Sequence, residues 1–200
     1  MNEIEAINQA LFLKINANAT TPAWEIDVAI FTADYLIYLV PLILMCMWLW
    51  GDHARRNLAI KACLVVMIAL GVNQVIGLVW QHPRPFMIGL GHAYMQHAPD
   101  SSFPSDHATV FAGIALTLLF ARARWLGSLT LLMGLCVAWA RVFVGIHFPL
   151  DMLGALVVGG VVLAGVSPIW HRNGAMCTQL AEHLYRIVMA RPIAWGWVRR

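Results

Sequence analysis

Residues 58–80 read LAIKACLVVMIALGVNQVIGLVW, an apolar stretch whose single charged side chain, Lys61, lies near its start. A helix needs roughly 20 predominantly apolar residues to cross the hydrocarbon core of a bilayer. This stretch meets that length, and its apolar residues fall on every helical face rather than on one stripe, so it is built to be surrounded by lipid or by other helices.

The rest of the chain agrees. Of 200 residues, 60% are hydrophobic and only 12% charged, with a mean hydropathy of +0.71, far from soluble usage. Further spans are expected at Ile26–Trp50, Asp106–Ala121, Trp125–Val144 and Pro149–Trp170, making five with Leu58–Trp80. The third is short enough to extend into its polar ends, and the first carries Asp27 and Asp34. Residues 1–20 place Ile4, Ile7, Leu11 and Ile15 at helical spacing, while Glu3 and Glu5 stand where a signal peptide would be basic. An interfacial amphipathic helix retained in the chain is expected there. The fold class is thus an all-α integral membrane bundle of about five transmembrane helices, one domain over 1–200, with the bundle at 26–170 and a cytoplasmic tail at 171–200.

Orientation follows from the cations. With five spans, Arg55, Arg56, Lys61, Arg122, Arg124, Arg172, Arg186, Arg191, Arg199 and Arg200 share one side, leaving Lys14, Arg84 and Arg141 on the other. The positive-inside rule makes the richer side cytoplasmic, with the C-terminus. The tail, with arginines among Trp195 and Trp197, reads as a segment lying on an anionic inner leaflet.

Two of the three outer cations sit in unusual company. Arg84 lies in WQHPRPF, where flanking prolines hold the backbone extended, and Arg141 in ARVFVGIHFPLD. Those segments and FPSDHAT at 103–109 all fall at the outer end of the bundle. His147 and Asp151 are four apart, so a helix starting near Pro149 lets the carboxylate hold one ring nitrogen as N–H and leave the other as a nucleophile. His107 can donate a proton to a leaving oxygen. Arg84 and Arg141 offer planar, permanently charged forks for phosphate oxygens, and Ser105, at a helix N-cap, adds a hydroxyl and backbone N–H groups.

These residues resemble a known family. Arg84-Pro85, then Pro104-Ser105-Asp106-His107, then Arg141, His147 and Asp151 with the spacing R-x5-H-x3-D follow the three ordered motifs of the type 2 phosphatidic acid phosphatase superfamily. HPRPF, DSSFPSDH and VGIHFPLDMLGA, with the length and span layout, look most like its bacterial undecaprenyl-diphosphatase branch, associated with bacitracin resistance. The resemblance implies that His147 attacks phosphorus to form a phosphohistidine, Asp151 orients it and His107 protonates the departing oxygen. Arg84, Ser105 and Arg141 would hold the phosphoryl oxygens, with no metal and no cofactor. The wider family has a lysine seven residues before the first arginine, and here that position is Gly77. Gln81 or His82 can substitute from elsewhere on the loop, and Asp106 completes the candidates for the phosphate site.

Taken singly, each residue has a plainer role. Asp151 is a first-turn acid complementing the helix dipole, Ser105 an N-cap, His107 a hydrogen-bonded interface residue and Arg141 a cation snorkelling to the headgroups. Their joint order and shared side of the membrane favour the site. His92 and His97 lack a third metal ligand at a recognisable spacing and read as loop residues contacting headgroups. Asn73 and Gln74 are expected to support Arg84, and Asp34 to be paired inside the bundle. Cys46, Cys63, Cys136 and Cys177 imply no disulfide framework.

The function expected is hydrolysis of a lipid diphosphate, undecaprenyl diphosphate foremost, at the periplasmic or extracytoplasmic face of a cell inner membrane. The alternatives are a lipid phosphotransferase or a phosphatase for phosphatidylglycerophosphate or phosphatidic acid. Outside enzymes, the alternative is a lipid transporter or scaffold, which predicts charges deep in the spans and broken helices near the midplane. The expected partners are the polyprenyl lipid and the membrane. No nucleic-acid module is present, and the sequence leaves oligomeric state open.

Overall fold

The computed structural model describes residues 3–200. Eight α-helices and two 3-10 turns follow one another, with no strand among the described residues. The helices are α1 (Glu3–Ile15), α2 (Ala23–Tyr35), α3 (Leu39–Leu49), α4 (His53–Val79), α5 (Asp106–Phe120), α6 (Arg124–Phe143), α7 (Pro149–Val188) and α8 (Ala190–Ala194).

Four segments are long and apolar enough to cross a membrane: Ala23–Leu49, His53–Val79, Arg124–Phe143 and Pro149–Val188. The first joins α2 and α3 through a 3-10 turn at Leu36–Tyr38. Pro41, in the first turn of α3, has no N–H to bond the carbonyl of Ile37, and its ring crowds that carbonyl, so the preceding turn tightens. Asp52 caps α4 by accepting from Arg55 N at 2.9 Å.

The third expected span, α5, has 15 residues, about 22 Å of helix against a hydrocarbon core of about 30 Å. It sits in the middle of the bundle, packed on α4, α6 and α7, so lipid thickness does not set its length. Ala108, Ala112, Gly113 and Ala115 keep it slim. At its crossing with α7, a Cβ on Gly159 would stand 3.2 Å from Gly113 N. Small residues that let backbones approach this closely supply the packing that apolar burial cannot supply in lipid. Large apolar side chains point outward instead: Leu78 is 80% exposed and Trp125 79%.

Two expectations about the ends change. Helix α1 forms and presents Ile4, Ile7 and Leu11 outward, but it also docks on the bundle. Phe12 is buried against Phe148, ring centroids 5.3 Å apart, and Asn8 Oδ1 accepts from Leu150 N at 3.1 Å.

The last helix does not stop at Trp170: residues 171–188, expected as a tail on the leaflet, continue it. Helix α7 runs for 40 residues, past Pro168, to Val188. Its extension is held to the start of α4 by polar contacts: Trp170 Nε1 donates to Asn57 Oδ1 at 3.0 Å, and Asn57 Nδ2 donates to Thr178 Oγ1 at 2.8 Å. Arg56, 2% exposed, donates to Trp48 O, Glu182 Oε1 and Arg199 O and stacks 4.7 Å from the Tyr185 ring. Tail residues that read as a polar leaflet segment thus form an inter-helix seam. All four cysteines are free.

Candidate active site

The site is built from three chain segments: the loop between α4 and α5, the start of α5, and the turn between α6 and α7. That turn is fixed by Gly145. Its φ is +88°, and a Cβ there would stand 2.1 Å from His92 O, so only glycine lets the backbone reverse against the loop. Tyr94 N donates to Val144 O at 2.9 Å, tying loop to turn. His147 and Phe148 follow, and Pro149 opens α7, a position where the missing N–H costs nothing.

Asp151 is the third residue of α7, and the capping geometry aims its carboxylate back at the turn. Its Oδ2 accepts from Phe148 N at 2.8 Å, stands 3.0 Å from His147 Nδ1, and accepts a short hydrogen bond from Ser102 Oγ. On the other side of the ring, Arg84 Nη1 stands 3.0 Å from His147 Nε2. A guanidinium can only donate, so Nε2 carries the lone pair and Nδ1 the proton. The lone-pair nitrogen therefore points toward the cations. Burial, then Arg141 and Arg84, pushes the His147 pKa well below 6.5, keeping the ring neutral.

Arg84 is 4% exposed and Arg141 and His147 each 2%. Arg84 spends its remaining donors on Ile146 O at 2.8 Å, Asp100 Oδ1 at 2.8 Å and Ser101 O at 3.4 Å. Arg141 donates to Ala33 O at 3.3 Å and contacts His97 Nε2 at 3.3 Å. Its buried Nε has no partner among the described residues. Asp34, expected to be paired inside the bundle, makes no side-chain hydrogen bond or ion pair among the described residues.

A cavity of about 490 Å³ opens in front of these groups, lined among others by Arg84, His97, Asp100, His107, Arg141 and His147. The residues expected from all three motifs converge on it or directly behind it. Ser105 differs: it is fully buried, and its Oγ accepts from Ala108 N as the α5 cap, so its plainer role is the one seen. Asp106 lines the cavity, but Asn73 Nδ2 donates to its Oδ1 at 2.8 Å and Gln74 Nε2 to its Oδ2 at 3.4 Å. An ionised carboxylate offers phosphate no donor. Asn73 and Gln74 therefore orient Asp106 rather than support Arg84.

Gln81 and His82 line the cavity near Gly77, and His82 Nε2 is taken up by Glu5 of α1 at 3.2 Å. Three residues escaped the sequence reading. Ser102 supports Asp151, Asp100 pairs with Arg84, and His97 faces inward rather than toward headgroups; His92 alone keeps a loop role, its ring against Tyr94. The Asp100 carboxyl is pushed up by burial but pulled down further by the Arg84 hydrogen bond and charge, ending below its ordinary value. No grouping of three or more His, Cys, Asp or Glu that could hold a metal occurs among the described residues.

The chain is similar to known proteins along most of its length. The family described as the PAP2 superfamily matches residues 58–175. The Escherichia coli (strain K12) protein YbjG, provisionally named an undecaprenyl-diphosphatase, is 41% identical over 98% of this chain and 99% of its own. The undecaprenyl-diphosphatase BcrC of Bacillus subtilis (strain 168) is 37% identical over 68% of this chain and 70% of its own. Among solved structures, Aquifex aeolicus LpxE has a TM-score of 0.65 at 20% identity, covering 79% of this chain and 93% of its own. The transmembrane PAP2-type phosphatidylglycerolphosphate phosphatase of Bacillus subtilis has 0.63 at 19%, covering 86% and 88%. Those two likenesses are of fold. The chain belongs to the PAP2 superfamily.

Proposed function

We propose that this protein hydrolyses a polyprenyl diphosphate, undecaprenyl diphosphate foremost, to the monophosphate and inorganic phosphate. The observation that carries the reading is the His147 ring, held between Asp151 at Nδ1 and Arg84 at Nε2. The names of the two similar undecaprenyl-diphosphatases support the substrate class.

The chemistry runs in two halves. Nε2 of His147 attacks the terminal phosphorus in line, the bridging P–O bond breaks, and His107 protonates the bridging oxygen as lipid monophosphate leaves. The ring gains positive charge as the P–N bond forms, and the buried Asp151 balances it, as an acid partner does for other catalytic histidines. Water then attacks the phosphohistidine, with His107 taking its proton and Nε2 leaving. Arg84 and Arg141 neutralise charge on the equatorial oxygens, where preorganised cations in a desolvated site contribute most.

The cation distribution supports an extracytoplasmic site in a cell inner membrane. The isoprenoid tail stays in the bilayer while the diphosphate enters the cavity.

The experiment is phosphate release by purified protein in detergent with chelator, across polyprenyl diphosphate, phosphatidylglycerophosphate and phosphatidic acid. Fastest turnover is expected on the diphosphate. Release from none of them sinks the enzyme reading, and a phosphoryl group appearing on added lipid rather than in water identifies a transferase.

A further inference from the structure

The cavity is short of positive charge for the ligand it is read to hold. Its walls bring two permanent cations, Arg84 and Arg141, against two carboxylates, Asp100 and Asp106. A diphosphate ester carries more than two negative charges near neutral pH, so a site balanced to zero while empty must gain charge on binding or leave the anion uncompensated.

We propose that His97 is a phosphate-binding residue that becomes an imidazolium when the anion arrives, adding positive charge beside the two arginines. The inference rests on the diphosphate reading above and names a residue and a proton that reading does not contain.

The geometry of the empty site sets the tautomer. Arg141 Nη2, which can only donate, stands 3.3 Å from His97 Nε2, so Nε2 holds a lone pair. The proton is then on Nδ1, 3.2 Å from Ala98 O and 3.7 Å from Asp100 Oδ1. The ring centroid lies 6.2 Å from that of His147, close enough to share a phosphoryl group with the nucleophile. A phosphate oxygen entering between His97 and Arg141 takes the arginine's N–H and leaves the His97 lone pair facing an anion. That contact is repulsive until Nε2 takes a proton from solution, after which it becomes a charge-assisted donor, with Nδ1–H still on Ala98 O and Asp100 behind it.

Every charged or titratable group around the ring fits this switch. Arg84 and Arg141 oppose the charge while the site is empty, the His147 ring is a neutral neighbour, His107 is the second ring that must carry a proton in the substrate complex, and Asp100 favours protonation of His97 from behind. Burial first, then Arg84, lowers the His97 pKa in the empty site. A bound anion cancels the cations and reverses that bias.

The test is NMR of ring-labelled histidines in detergent-solubilised protein at pH 7, with inorganic phosphate as the probe. Of the eight histidines, a ring beyond the general acid His107 should become imidazolium as phosphate saturates the site, so at saturation the rise in His97→Gln, which binds phosphate roughly tenfold more weakly, should be smaller by one ring than in the wild-type protein. No rise in the wild-type protein, or a rise of the same size in His97→Gln, overturns the proposal. If His97→Gln does not fold, His97→Lys replaces it: a fixed cation should bind phosphate with one new imidazolium fewer than the wild-type protein, and an undiminished rise again overturns the idea. A wild-type protein that shows the extra imidazolium but hydrolyses no polyprenyl diphosphate keeps this inference and sinks the substrate reading alone.

Discussion

Arg84 Nη1 stands 3.0 Å from His147 Nε2. In the proposed mechanism, a cation that goes on to hold phosphate first holds the nucleophile's lone pair in the direction of attack, so the ring is aimed before the phosphoryl group arrives.

Removing the ring should end turnover. His147→Ala is expected to lose roughly 10⁴-fold or more in kcat while still inserting in the membrane. Asp151→Asn should be severely impaired too, because the amide favours the wrong tautomer and cannot balance imidazolium charge. Ser102→Ala, which removes a donor to Asp151, should lose roughly ten- to a hundredfold in kcat with little change in KM. Near wild-type rates for His147→Ala remove the mechanism.

Acid should affect this nucleophile late. A histidine whose pKa lies well below 6.5 stays neutral above that lowered value, so the His147 form competent for attack is still full at pH 6.5, where an ordinary histidine is half protonated. Arg141→Gln removes a cation that opposes protonation, so the pKa rises and the acid limb of kcat/KM moves to higher pH. Titrating both proteins on one substrate cancels the substrate's own ionisation. An acid limb that stays put in Arg141→Gln contradicts the assignment.

Side of the membrane can be read by labelling. In a background with Cys46, Cys63, Cys136 and Cys177 replaced, a cysteine at the exposed Gln96 should react with an impermeant thiol reagent in intact cells, and one at Asn173 only after lysis. The reverse pattern puts the cavity in the cytoplasm.

Turnover should survive EDTA and be blocked by vanadate. Charge comes from Arg84 and Arg141 and the nucleophile from a ring nitrogen, so the proposed steps need no metal-bound hydroxide. Five-coordinate vanadate resembles in-line attack, and sites complementary to a transition state bind its mimics tightly. Activity lost in EDTA and restored by magnesium shows that a divalent ion serves where Gly77 leaves space.

The seam of the α7 extension should matter for stability and not for chemistry. Glu182→Ala takes an anion from the buried Arg56, which keeps its carbonyl partners, so a loss of about 1–3 kcal/mol is expected. Thermal unfolding in detergent should shift downward with kcat unchanged. An unchanged midpoint shows that the two carbonyls and the Tyr185 ring suffice.

The spans and the motif residues were legible because lipid and phosphate chemistry leave local marks: long apolar runs, and His147 four residues before Asp151. The length of α7 was not legible. Residues 171–188 lose apolarity where they leave the expected span, and their helicity depends on Asn57 and Arg56 more than 100 positions earlier in the chain. His97, Asp100 and Ser102 were equally hidden, since an irregular loop has no periodicity to say which side chains turn inward. Ser105 shows the converse: a serine just before a helix is legible as an N-cap, and the cap is what the structure displays.

Helix α1 finds its partners far down the chain. Asn8 bonds Leu150, 142 positions away, and Glu5 reaches His82, 77 positions away. During biogenesis this helix therefore has no finished docking site until the α6–α7 turn has been made. Such long sequence separations make the rim of the cavity a late event in assembly. A nascent chain stalled before α7 has no finished rim, so phosphatase competence waits for α7.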